Sequence, residues 1–224
     1  MGFAIADGLA AQATHVVVSE IDRAAGERAA ERIIGNGGSA SFIAVDLSQP
    51  YDIRLARIDI LVNHAGVIST GRIETVELEE FQRLILIGLT AVFLLTKAFL
   101  PFMTASGWGR ITNITSVAGQ QGGGLFGNSC YAAAKGAVIA FSKGIAREAG
   151  RTGVTCNAIC PGLTDTALTS NLTGVQREQI IATIPVGRTG GPGDIPVAVG
   201  FLASDAASFI IGVTLNGDGG FMRH

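Results

Sequence analysis

Charge is scarce in this chain. Of 224 residues, Asp, Glu, Lys and Arg make up only 15%, and the formal net charge is −2. No basic block occurs, so the electrostatic footprint of a nucleic-acid or anionic-membrane partner is missing and neither partner is expected. Cysteine is scarce too. Cys130, Cys156 and Cys160 are an odd set with neither disulfide nor zinc spacing. They read as buried thiols in a reducing cytoplasm, with a packing role for Cys130 despite its place beside Tyr131, and no metal site is expected. The opening Met1-Gly2-Phe3-Ala4-Ile5-Ala6-Asp7 lacks the basic region of a secretory leader, and Ala6 breaks a myristoylation pattern. Long apolar runs are also lacking. The oiliest, Leu84 to Leu100, has only about a dozen uncharged residues before Lys97, against the ~18 that a membrane span needs. No internal repeat, linker or low-complexity block is visible.

What is present is apolar. Hydrophobic residues reach 48%, and the mean hydropathy is +0.43. Such a composition fits a parallel sheet buried on both faces, and the length fits one domain. Helical periodicity covers 3–13, 24–34, 78–99, 130–149, 175–183 and 194–203, with a further short helical segment at 166–171 and the long helix stopped by Pro101. Apolar, β-branched runs at 15–19, 41–45, 58–62, 110–115, 154–159 and 213–216 read as strands. Strand and helix alternate, which predicts a Rossmann-like, doubly wound, mostly parallel α/β sheet in a single domain, 1–224. Polar and glycine residues gather where strands end, at Glu20, Asp46, Asn63–Gly66, Ser116 and Pro161–Thr166. That is the edge at which open α/β sheets bind ligands.

Within the helix at 130–149, Tyr131 and Lys135 stand at i and i+4 and so share one face. A free phenol has a pKa near ~10, too high for proton transfer at neutral pH. A neighbouring ammonium favours the phenolate and would bring the phenol toward use as an acid or base. The spacing by itself also arises by chance in many helices. Ser116, read alone, is equally a turn serine at a strand end.

Taken in order, Asn63-His64-Ala65-Gly66, Ser116, Tyr131-x-x-x-Lys135 and Pro161-Gly162 resemble the short-chain dehydrogenase/reductase family. Arg188-x-Gly-x-Pro192-x-Asp194 and Asp218-Gly219-Gly220 extend the similarity over nearly the whole chain. The resemblance implies an NAD(P)-dependent oxidoreductase interconverting a secondary alcohol and a ketone. It implies that Tyr131 passes the proton, Lys135 tunes it and holds the nicotinamide ribose, and Ser116 binds the substrate oxygen. Gly2, Asp46, Asn63, Ala65, Gly66, Pro161, Gly162, Leu163 and Thr164 would line the dinucleotide. Glu20 would accept from a ribose 2′-hydroxyl and repel a 2′-phosphate, which favours NAD over NADP, although Arg23 keeps NADP open and Glu20 is equally a solvated strand end. His64 is read as a structural histidine with its hydrogen bonds satisfied. A homodimer or homotetramer through the long helix and the tyrosine helix is implied, as is a small, uncharged alcohol or ketone substrate, set by 163–188 and the loop after Ser116.

Three departures stand out. The family's opening strand and glycine-rich turn are not in the sequence, which begins at what matches the turn's last glycine, Gly2. Only Leu47 to Arg57 connects the Asp46 strand to the next, so the usual crossover helix is expected to be largely missing. Gly88 stands where the family usually has an asparagine of a proton relay. Two readings follow, an active reductase and a non-catalytic binding protein on the same scaffold or a truncated product. Retention of Ser116, Tyr131 and Lys135 favours the first.

Overall fold

In a computed structural model, residues 1–49, 57–124, 127–165 and 173–222 are described. The chain opens with helix α1 (Gly2–Ala10), which buries Ile5, Leu9 and Ala10. Strand β1 (His15–Glu20), helix α2 (Arg23–Gly35) and strand β2 (Ser39–Ala44) follow. Asp22 caps α2 by accepting from the Ala25 amide at 3.0 Å, which satisfies one of the helix's free donors. Strand β3 (Ile60–Asn63) leads to helix α3 (Leu78–Ile85), a π-helical turn at 86–90, and helix α4 (Ala91–Ser106). Strand β4 (Gly109–Ile114), short helix α5 (Ala118–Gln121), helix α6 (Ser129–Ala149) and strand β5 (Val154–Pro161) form the centre. Helices α7 (Gly174–Ile181) and α8 (Asp194–Ala203) and strand β6 (Thr214–Gly217) close the chain.

Every strand pair is parallel. β4 and β5 are buried at every residue, because helices cover both sheet faces and no polar alternation is needed. On one face Ile5 and Leu9 of α1 meet Ile195, Val199 and Leu202 of α8 over Ile114 and Ile159. On the other, Phe99 and Met103 of α4 and Ile145 of α6 pack over Leu61, Ile111 and Val154. Both cores hold the carboxyl ends of β3 to β6 rigidly in line.

As expected from the lack of the family's opening strand, the sheet is not continuous among the described residues: β1 pairs only with β2, and β3 to β6 form a separate set in the order β3-β4-β5-β6. At other points the structure corrects the sequence reading. The long helix is not stopped by Pro101, which lies inside α4. Burial of Phe99 and Met103 on either side of it carries the helix on, despite the hydrogen bond that proline removes. The helix ends instead at Gly107, whose φ of 72° is the left-handed cap favoured by glycine. Joined through the π turn, 78–106 is long and apolar enough to cross a membrane, contrary to the length expected. Its Leu84, Phe99 and Met103 are nonetheless packed in the protein's cores. The helical segment at 166–171 lies outside the described residues, as does most of the short crossover.

Candidate active site

Helix α6 begins where Asn128 caps it. The Asn128 side chain accepts from the amides of Cys130 and Tyr131, each at 3.1 Å, and donates to the Ser69 hydroxyl at 2.7 Å. The cap therefore fixes the first turn, and with it the direction of Tyr131. Tyr131 is buried, and its phenol is hydrogen-bonded with Ser116, which β4 delivers just past its carboxyl end. Ser116 also accepts from the Ala118 amide at 3.1 Å, so its hydroxyl is oriented by its own turn. Lys135, one turn along, is buried with its Nζ 6.0 Å from the Tyr131 ring centroid. It donates to the Ile114 carbonyl at 3.0 Å.

The electrostatics differ from the sequence expectation. Burial raises the Tyr131 pKa above the ordinary phenol value, and the Ser116 hydrogen bond only partly opposes this. Burial also lowers Lys135 to about 8, with Cys160 opposing. The ammonium is aimed at a backbone carbonyl rather than at the phenolate oxygen, so in this arrangement desolvation outweighs any acidifying pull. Tyr131 is thus a phenol at neutral pH, a proton donor.

The other candidates collect at the same sheet edge. Glu20 ends β1 and accepts from the Ile21 amide at 2.8 Å and the Asp22 amide at 3.4 Å. Asp46 accepts from the Ser48 amide at 2.9 Å and hydroxyl at 2.6 Å, and these bonds lower its pKa. Asn63 turns inward and donates to Asn113 at 2.7 Å, while its own Oδ1 is buried without a partner. Ala65 and Gly66 are exposed, and a Cβ at Gly66 would come within 3.3 Å of Lys135 Nζ. Pro161 at the end of β5, and Leu163 and Thr164 just past it, are buried, and Leu163 packs on Ile180 and Ile184. A Cβ on Gly162 would collide with Asp218 at 2.9 Å. Gly2 opens α1 against His64, whose Nδ1 lies 3.1 Å from where a Cβ would be. His64 is pushed down to about 4, first by burial and then by the N-terminus and Lys135. It is neutral, as a structural histidine would be.

Comparison with known proteins follows this geometry closely. The family model described as enoyl-(acyl carrier protein) reductase matches residues 1–222. The 3-oxoacyl-[acyl-carrier-protein] reductase of Synechocystis is 39% identical, over 99% of this chain and 92% of its own. The Escherichia coli enzyme of that name is 36% identical, over 98% of this chain and 92% of its own. Among solved structures, a gluconate 5-dehydrogenase from Burkholderia cenocepacia in complex with NADP and tartrate superposes with a TM-score of 0.90. It is 29% identical, with 99% of this chain and 90% of that one covered. The chain belongs to the short-chain dehydrogenase/reductase family.

In this short-chain dehydrogenase/reductase, several positioning residues escaped the sequence reading. Gly119 and Gly136 face each other so closely that a Cβ on Gly136 would stand 2.9 Å from the Gly119 carbonyl oxygen. That contact lets α5 lie on α6 and brings Ser116 to Tyr131. Gly127 has a φ of 135°, and a Cβ there would strike the Tyr131 ring at 2.3 Å. The Asn128–Ser129 step is a visible helix-start signal; the glycine contacts join segments distant in sequence and leave no local trace. Gly88 sits in the π turn, where a Cβ would meet Ala134 of α6 at 3.4 Å. That is an ordinary contact distance, so the long helix lies against the tyrosine helix here without needing the glycine. All three cysteines are free and buried, and Cys130 packs with Leu84, Ala118 and Tyr131.

Proposed function

We propose that this chain is a cytoplasmic NAD(P)-linked reductase that converts a 3-oxoacyl group, carried as a thioester on an acyl carrier protein, to the 3-hydroxyacyl form. The observation that carries it is the buried Tyr131 phenol, hydrogen-bonded with Ser116 one helical turn from Lys135. The curated relatives' names supply the substrate class. The three side chains support an enzyme over the binding-only reading, since a scaffold alone has no need of a desolvated phenol and ammonium.

The residues present fit a nicotinamide dinucleotide. Glu20 and Asp46 would offer carboxylate acceptors to the adenosine part, and the first amides of α1, which a helix leaves unpaired, would be available to the pyrophosphate. Gly66, without a Cβ, keeps Lys135 Nζ within reach. Glu20 supports NAD over NADP, because a carboxylate accepts from a 2′-hydroxyl and repels a 2′-phosphate. The dinucleotide, when bound, supplies the hydride.

The chain's own groups do the rest. Ser116 donates to the substrate carbonyl oxygen and fixes its orientation. Tyr131 gives its proton to that oxygen as negative charge develops on it, a role suited to a phenol kept protonated by burial. Lys135 holds a positive charge nearby, which stabilises the phenolate left behind. Helices α4 and α6 present the surface for a homodimer or homotetramer. On α4 the exposed Phe93 and Phe102 support that assembly.

Steady-state turnover of a 3-oxoacyl thioester with NADH and with NADPH tests the proposal, beside gluconate oxidation as the competing substrate. Turnover of the thioester is expected to exceed that of gluconate. Turnover of neither, with saturable dinucleotide binding retained, would leave a binding protein.

A further inference from the structure

After β3, residues 64–70 have no regular structure of their own. The stretch 63–69 is pinned at both ends. Asn63 donates to Asn113 at 2.7 Å. At the other end Ser69, only 2% exposed, takes two bonds from Asn128. Its carbonyl accepts from the Asn128 amide at 2.9 Å, and its hydroxyl oxygen accepts from Asn128 Nδ2 at 2.7 Å. Between the pins, Gly66 lies beside Lys135, whose Nζ would be 3.3 Å from a Cβ there. Val67 and Ile68 pack on the cluster that holds Cys130 and Tyr131. The stretch is therefore a strap that runs antiparallel to α6, with Gly66 at Lys135 and Ser69 at Asn128. The lengths agree. Three extended steps from Gly66 to Ser69 cover ~10 Å, and the seven steps from Asn128 to Lys135 rise ~10.5 Å along a helix.

We propose that Ser69 is a positioning residue for Tyr131: through Asn128 it sets where the first turn of α6, and so the phenol, stands relative to Ser116 and Lys135. The inference rests on the reductase reading of that site. The direction of the bonds carries it. The Asn128 side chain has one oxygen that accepts and one NH₂ group that donates. The oxygen is spent on the amides of Cys130 and Tyr131, each at 3.1 Å. Nδ2 is left to hold the amide plane, and Ser69 is what it reaches among the described residues. With that bond lost the plane is free to turn, and both capping bonds weaken together. Gly127 makes the demand strict. It precedes the cap at a φ of 135°, and a Cβ there would strike the Tyr131 ring at 2.3 Å. The chain entering the cap lies against the ring with no spare room, so a turn of the cap moves the ring. A proton donor that must stay within hydrogen-bond reach of the substrate oxygen is sensitive to such a shift.

The experiment compares Ser69→Ala, Ser69→Thr, Asn128→Ala and the double variant in the full chain. It reads amide exchange, which needs no substrate, and steady-state turnover of the thioester. In Ser69→Ala the amides of Cys130 and Tyr131 are expected to exchange about tenfold faster, with those of Val138 and Ile145 unchanged. Turnover is expected to show a kcat lower by about tenfold, with KM and dinucleotide affinity kept within about twofold, since only the geometry at the reacting atoms is disturbed. Ser69→Thr keeps the hydroxyl and should restore both readouts. Ser69→Ala added to Asn128→Ala should cost nothing further, because the two side chains act through one bond. Ser69→Cys, close in volume and a weaker acceptor, should show the same changes to a smaller extent, and it carries the test should the alanine variant fail to fold. Faster exchange at Cys130 and Tyr131 in a chain that turns over no thioester would uphold the positioning and fail only the substrate reading. Unchanged exchange at those two amides overturns the proposal. So do losses that add in the double variant, or an unmoved kcat in a chain that does reduce the thioester.

Discussion

Strands β4 and β5 are buried at every position, whereas β1 and β2 are each exposed at three of their six. The two sets of strands hold the candidate residues in different ways. Ser116, Tyr131 and Lys135 hang from the fully packed side, where desolvation raises the Tyr131 pKa and lowers that of Lys135, and neighbours on α5 and α6 fix their geometry. Glu20 and Asp46 hang from the thinner side, where each carboxylate is held mainly by amides and a hydroxyl of its own turn. Proton transfer needs a dry, rigid setting. Recognition of ribose and adenine needs acceptors at the right edge, which local turns provide without a deep core.

The sharpest way to break this comparison is Tyr131→Phe. Turnover should fall by about 10²- to 10⁴-fold, with dinucleotide affinity kept within about twofold, since only the proton donor is lost. Calorimetry and steady-state kinetics on one preparation separate the two, and unchanged turnover would remove Tyr131 from the mechanism. Packing comes next. Ile159→Ala, at a fully buried β5 position, should cost about 2–5 kcal/mol in urea unfolding. Ile43→Ala, half-buried in β2, should cost less than half of that. Equal costs would mean that the two sides are equally packed and the contrast is false.

Much of this was legible in the sequence, for physical reasons. Strands such as 110–114 and 154–161 are bounded by glycine and helix signals, and their apolar runs are long enough to mark them as doubly covered. The grouping of Tyr131 with Lys135 was legible because the two are linked by helical spacing. The π turn at 86–90 was not, since nothing in that short apolar run marks a departure from ordinary helical bonding. The run through Pro101 was not either, because tertiary burial of Phe99 and Met103 overrode a local breaker. The direction of the Tyr131 shift was misjudged for a similar reason. Sequence spacing places an ammonium near a phenol but does not reveal that the ammonium donates to the Ile114 carbonyl.

Lys135 gives a smaller, pH-dependent effect. Its folded pKa of about 8 lies below the unfolded value, so between those values the unfolded chain binds more protons. Stability should therefore rise as pH climbs through that window, by up to about 3 kcal/mol in all. Cys156, pushed up to about 12 by burial, works in the opposite direction above pH ~9, as a thiol of ordinary pKa would not. The comparison is thus between the parent and Lys135→Met, in which the cysteine contribution cancels. The variant should gain most below pH 8 and lose its advantage near pH 10. A constant difference across that range would mean that Lys135 is not desolvated as the structure has it.

The smallest expected effect tests the thinner side. Glu20 is exposed at the tip of β1, and Arg23, three residues on, is occupied by Glu27 at 3.4 Å and lies 6.0 Å from the Phe42 ring. The Glu20 charge is therefore free to repel a 2′-phosphate. Glu20→Gln should tighten NADP by about fivefold at low salt, the equivalent of ~1 kcal/mol for one exposed charge pair. NAD should weaken slightly, because an amide is a poorer acceptor than a carboxylate for the 2′-hydroxyl. The gain should shrink at high ionic strength as screening grows. Titration of both dinucleotides at two salt concentrations decides the matter. If NADP affinity is indifferent to the substitution and to salt, the ribose lies elsewhere and the carboxylate is only the end of a strand.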